Sequence, residues 1–155
     1  MCDNQKVFIR CVCDILFYIL NIRIKKVLCA IGKKFCLISP KEYERYGKQA
    51  LARGVSCGLR VNPEYSTVEI DLYNPAMPES RLGVRACDLE KLPDGIEGLH
   101  FHSLCESRPE DLESTLRHFE ERFGKHLDKV RWVNFGGGHL MTHIDYDENR
   151  LIEIL

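Results

Sequence analysis

Three short stretches carry the residue types from which a chemical site could be built. The first is Val130-Arg131-Trp132-Val133-Asn134-Phe135-Gly136-Gly137-Gly138-His139, an apolar run of the kind that forms a buried strand, stopped by three glycines. Glycines let the backbone take positive φ and remove every Cβ, so a bulky anion can approach main-chain N–H groups; the same run also suits a tight turn or bulge. The second is Gly98-Leu99-His100-Phe101-His102. Strand side chains alternate, so His100 and His102 share a face. They read as core histidines satisfied by the backbone, as a stacking or hydrogen-bonding surface for a cofactor, or as metal ligands joined by His139 and His143. The metal set lacks a carboxylate or lysine at an identifiable position. The third is Leu59-Arg60-Val61, where an arginine sits between apolar neighbours. It is either an ordinary surface arginine or a buried guanidinium, which is costly without an anionic partner. Cys105-Glu106-Ser107, just past His102, lines the same mouth or forms a solvated loop.

The elements around these stretches follow from local signals. Ser39-Pro40-Lys41-Glu42 is a helix start, with Ser39 as N-cap and proline at the first position; the helix runs to about Arg53 and stops at Gly54. Residues 55–61 read as a strand ended by Asn62-Pro63, and 64–92 as a long loop containing Pro75 and Pro78. Residues 96–102 are the next strand. Leu112, Leu116, Phe119 and Phe123 recur at helical spacing over 109–123, and Gly124 closes that helix. The strand at Val130 follows, and 147–155 opens another amphipathic helix, while Trp132 and Phe135 read as core or interface. This alternation implies a mostly parallel sheet, whose chemistry sits at the strands' C-terminal ends. Arg60, His102 and the glycine run all fall there.

Bulk properties narrow the class. A chain of 155 residues suits one domain, and its formal net charge of −1 favours neither nucleic acid nor a membrane surface. Eight cysteines form no framework: Cys11-Val12-Cys13 is the only close pair, with neither CxxC nor a secretory signal, which points to a reduced, cytoplasmic chain. The apolar stretch from Val7 to Leu28 is interrupted by Arg10 and Asp14, and its unbroken part falls short of the roughly 20 residues of a membrane span. It reads as a buried helix or strand pair. Residues 1–38 stay unassigned, with a composition that suggests a non-homologous N-terminal segment.

Gly58-Leu59-Arg60-Val61-Asn62-Pro63-Glu64-Tyr65, Gly98-Leu99-His100-Phe101-His102-Ser103-Leu104-Cys105-Glu106 and Trp132-Val133-Asn134-Phe135-Gly136-Gly137-Gly138-His139 together resemble carboxynorspermidine (carboxyspermidine) decarboxylases. These belong with the alanine-racemase-like decarboxylases that depend on pyridoxal 5'-phosphate. The resemblance covers about residues 40–155 and implies an α/β fold: part of a (β/α)8 barrel of TIM type, truncated, without the C-terminal β-domain. On that resemblance residues 39–155 are the central part of the cofactor-binding barrel. Gly136, Gly137 and Gly138 match the loop that holds the cofactor phosphate, His102 the histidine that stacks on the pyridine ring, and Arg60 a strand-end arginine lining the site. Ser80-Arg81-Leu82-Gly83 resembles a short family step. Where relatives place a phosphate-binding serine three residues after the histidine, this chain has Cys105, a weaker donor to which that role is not carried over. The lysine that holds the cofactor covalently lies upstream in the family, and Lys33 and Lys34 sit too close to Arg60 to be it, so no catalytic residue and no metal site is assigned. The resemblance implies a cytoplasmic homodimer that removes CO2 from carboxynorspermidine or carboxyspermidine in polyamine biosynthesis, with this chain inactive alone. The alternatives are a non-catalytic remnant, or a metal-dependent barrel hydrolase using His100, His102, His139 and His143.

Overall fold

Among the described residues, four short strands and the helices between them build one parallel sheet with a helical layer on one face. The computed structural model describes residues 34–68 and 70–155; the apolar stretch 7–28, the Cys11 and Cys13 pair and Lys33 lie outside the described residues. Strand β1 (Lys34–Leu37) is followed by helix α1 (Pro40–Leu51) and strand β2 (Ser56–Arg60). Ser39 caps α1 by accepting from the Glu42 N–H at 3.3 Å, and Glu42 in return accepts from the Ile38 N–H at 2.9 Å. Charge and cap therefore act together at this helix start. Among its described residues the 61–95 connection has no α-helix and two short 3-10 turns, Asp71–Tyr73 and Ala86–Asp88. Strand β3 (Ile96–His100), helix α2 (Pro109–Phe123), strand β4 (Trp132–Asn134) and helix α3 (Glu148–Ile154) complete the order.

The strands lie side by side in sequence order, β1-β2-β3-β4, and every neighbouring pair is parallel. Among the described residues the expected α-helices and strands are each found within a few residues, with one omission. Lys34–Leu37 was unassigned in the sequence, yet it forms a strand, in register with Ser56 to Leu59. Four residues carry little periodicity, and the signal at this end was masked by the longer apolar stretch before it.

Strand alternation separates the two faces. Phe35, Leu37, Cys57, Leu59, Val61, Ile96, Leu99 and Phe101 join the buried cluster with Leu112, Phe119 and Phe123 of α2. Phe101 anchors it, with ring centroids 5.2 Å from Phe119 and 5.4 Å from Phe135. The other face is set by register: Gly58, Gly98 and Trp132 form one row across β2, β3 and β4, and Arg60, His100 and Asn134 form the next. Trp132 is buried, but on this second face and outside the helix-side cluster. Its indole lies across Gly58 and Gly98, so close that a Cβ at either glycine would overlap the ring. Its Nε1–H donates to Ser56 Oγ at 2.9 Å, and Ser56 Oγ donates to Glu97, which holds that carboxyl below its usual range.

His126, beyond the end of α2, is 1% exposed, and its Nε2 contacts the Leu89 carbonyl at 3.3 Å. Burial lowers its pKa from 6.5. The unfolded chain then binds the proton first, so stability held above about pH 6.5 is lost as pH falls through the folded value. His126→Leu is expected to flatten the decline of the urea midpoint between pH 7 and 5 relative to the parent chain. Parallel pH profiles for the two chains would refute this.

Candidate anion and cofactor site

The C-terminal ends of β2, β3 and β4 meet where the backbone leaves the sheet. Arg60 ends β2, is 9% exposed, and donates from Nη2 to the His102 carbonyl at 3.0 Å. His100, 5% exposed, places Nδ1 3.1 Å from the Asn134 carbonyl, which also accepts the Phe101 N–H at 3.0 Å. Its ring stands edge-on to His102, with centroids 6.1 Å apart. His100 is thus satisfied by backbone, one of the readings open for it in the sequence. His102 is half-buried at the rim.

The glycine run crosses directly over this rim. Asn134 Oδ1 accepts the Gly136 N–H at 2.8 Å, an Asx turn that ends β4 and starts the loop. Gly136 and Gly138 have φ of 79° and 99°, whereas Gly137 does not enter the positive region. A Cβ on Gly136 would lie 2.7 Å from the Phe101 carbonyl oxygen and 3.0 Å from His102 Cγ, and one on Gly138 would overlap the Leu104 carbonyl. Gly136 and Gly138 therefore lie against 101–105 at backbone contact, which only glycine allows at these two positions. The tail is tied in turn: Ser107 N–H donates to the Gly138 carbonyl at 2.8 Å, and Leu140 N–H donates to the Ser107 carbonyl at 3.1 Å.

The sequence-assigned Arg60, His102 and Gly136 are thus brought together, with Gly137 and Gly138 continuing the same loop. Among the described residues the Gly137 and Gly138 N–H groups make no hydrogen bond. In the flanking segment Ser103 is 2% exposed and its hydroxyl has no partner among the described residues. Open main-chain donors, a cradle that a Cβ would fill and a buried, unengaged hydroxyl all suit an anion.

Other positions behave differently. His139 engages Tyr146, whose hydroxyl lies 2.8 Å from its Nδ1; burial lowers the His139 pKa and raises that of Tyr146. His143 is exposed, and among the described residues no group of three His, Cys, Asp or Glu could hold a metal ion. The four-histidine metal reading finds no support in this arrangement. Cys105 is an exposed free thiol. Lys34 opens β1 in register with Ser56, and its Nζ lies 5.2 Å from the Trp132 ring centroid. That is the sheet's N-terminal end, some four residues or about 13 Å from the Arg60 row.

The structural roles of three further residues were not assigned from the sequence. Asn134 was quoted only as part of a strand, although Asn two residues before Gly is an Asx-turn signal. Ser107 reads from the sequence as mouth lining or as solvated loop, and no local pattern reveals its long-range pairing. Tyr65 stacks on His118 of α2 at a 3.9 Å centroid separation, beside the 3.9 Å Glu64–Arg122 pair, fixing the segment after β2.

Comparison with known proteins gives the same frame. No protein-family profile matches the chain. It is 47% identical over 115 residues to the carboxyaminopropylagmatine decarboxylase of Synechocystis sp., covering 74% of this chain and 30% of that protein. It is 50% identical over 100 residues to the carboxynorspermidine/carboxyspermidine decarboxylase of Campylobacter jejuni, covering 64% and 26%. The Herminiimonas arsenicoxydans protein of the same name is 36% identical over 100 residues. The crystal structure of Campylobacter jejuni carboxynorspermidine decarboxylase complexed with norspermidine superposes with a TM-score of 0.70 at 37% identity, over 83% of this chain and 32% of that one. The chain spans under a third of the length of these relatives. Over the residues it shares with them, the chain is similar in sequence and in fold to carboxynorspermidine/carboxyspermidine decarboxylases.

Proposed function

We propose that the chain carries the phosphate- and ring-binding part of a pyridoxal 5'-phosphate site, in the barrel of a decarboxylase acting on carboxy-bearing polyamines. The observation that carries this reading is the convergence of a donor-rich glycine loop with His102 and Arg60 at adjacent strand ends. The N–H groups of Gly137 and Gly138 would hold the phosphate, His102 would offer its imidazole face to the pyridine ring, and Arg60 would add positive charge at the same rim. Such a cofactor supplies an electron sink for the pair left behind when a carboxylate departs as CO2. In-order parallel strands with helices on one face are also what an arc of a (β/α)8 barrel looks like, and residues 39–155 fit the central part of one. The family resemblance extends the proposal to a cytoplasmic homodimer. Among the described residues no helix is long and apolar enough to cross a membrane.

Carboxynorspermidine and carboxyspermidine are the first substrates to test. The similarity to a carboxyaminopropylagmatine decarboxylase adds that compound as a second. On the family resemblance the cofactor-anchoring lysine would lie outside the matching residues, and Lys34 is at the opposite end of the sheet from Arg60. The 155-residue chain is therefore expected to bind pyridoxal phosphate without covalent capture and to release no CO2 from any of the three. His102→Ala should weaken binding about threefold to tenfold, the scale of an aromatic stacking contact. Calorimetric titration, CO2 release and borohydride fixation followed by peptide mapping check these outcomes. Turnover together with labelling of one lysine would overturn the inactivity, and an affinity unaffected by His102→Ala would remove the stacking role.

A further inference from the structure

Ser107 occupies an unusual position in the site. It is 2% exposed, and each of its polar groups is engaged. Its N–H and carbonyl pair with Gly138 and Leu140 at 2.8 and 3.1 Å, making a parallel bridge to His139. Its hydroxyl accepts the Cys105 N–H and donates to the Cys105 carbonyl, both at 3.1 Å. The residue enclosed by that bracket, Glu106, has φ of 50°, one of two non-glycine residues with positive φ among those described. A left-handed glutamate is unfavourable on its own and persists only when its surroundings impose it. The hydroxyl bracket is the local contact that does so. If the turn relaxed, the main chain of residue 107 would swing away from Gly138 and Leu140, and the glycine loop would lose the tie at its C-terminal end.

We propose that Ser107 is a positioning residue for the anion grip of residues 136–138: its hydroxyl holds Glu106 left-handed so that its own backbone clamps the loop. The effect on ligand rests on the phosphate-site reading above; the clamp itself does not. The side chain touches no ligand and acts through the turn.

Two readouts test this on the full chain. Hydrogen exchange without ligand follows the Leu140 amide, the donor to Ser107, against the strand amides of β2 and β3. Titration with pyridoxal phosphate and with pyridoxal isolates the phosphate contribution as a ratio of affinities. Ser107→Ala is expected to speed exchange at Leu140 about tenfold, leave the strands unchanged, and reduce the phosphate preference about tenfold, the scale of one buried hydrogen bond. Glycine takes φ of 50° without strain, so adding Glu106→Gly to Ser107→Ala should restore both readouts toward the parent values. This double variant also serves if the single one folds poorly. Unchanged Leu140 exchange in Ser107→Ala, or no recovery in the double variant, would overturn the proposal. A parent chain that binds both ligands equally would instead reject the phosphate site, while the exchange result would still decide the clamp.

Discussion

Replacing Gly138 by alanine should abolish the preference for pyridoxal phosphate over pyridoxal and lower stability by about 1–3 kcal/mol. Both effects come from one methyl group. At φ of 99° an alanine is strained wherever it is placed, and its Cβ would overlap the buried Leu104 carbonyl. Neither partner is the free end of a flexible side chain, so the loop must lift off the 101–105 segment. Lifting it moves the Gly137 and Gly138 N–H groups and breaks the Ser107 to Gly138 bond. Phosphate affinity should fall at least about tenfold, or 1.4 kcal/mol. Gly124→Ala is the control: φ is −52° and open space surrounds the site, so that change should be neutral or stabilise by about 0.4–1 kcal/mol. Equal behaviour of the two alanine variants, in urea titration and ligand binding, would contradict the close-approach account.

Trp132→Ala should be the most damaging single change to stability, at about 3–5 kcal/mol, because it empties the space over two glycines and unseats Ser56 and Glu97. Gly98→Ala should also destabilise, by forcing the indole off its seat. The two changes are expected to be non-additive: with the indole gone, the extra methyl occupies part of the vacated space, giving a coupling of about 0.5–3 kcal/mol. Urea denaturation of the four chains of this double-mutant cycle measures it. Additive costs would mean that Trp132 does not lie on Gly98.

Much of the architecture was legible because its signals are local. The Ser39-Pro40 start, the 109–123 apolar stripe and the glycine that ends β4 each depend on neighbours within a few residues, and each element appears where expected. The convergence of Arg60, His102 and Gly136 was legible for a different reason: strand-end residues on successive parallel strands must share one rim once the strands are right. What was not legible depends on contacts distant in sequence. Trp132 reads as a core or interface aromatic until register sets it against Gly58 and Gly98, and Ser107 reads as mouth lining or solvated loop until the chain returns at Gly138. The metal reading of the histidines illustrates the converse. HxH on one face is real, but His100 is used by the Asn134 carbonyl and His139 by Tyr146, so spacing alone overstated their availability.

The central claim is that the glycine loop grips a phosphate. Amide chemical shifts of the isotopically labelled chain, followed during titration with pyridoxal phosphate and separately with pyridoxal, test it most directly. The account predicts that the Gly137 and Gly138 amides move on addition of pyridoxal phosphate and stay in place with pyridoxal, while signals around His102 respond to both. Shifts at Gly137 and Gly138 that are absent, or equal for the two ligands, would contradict it.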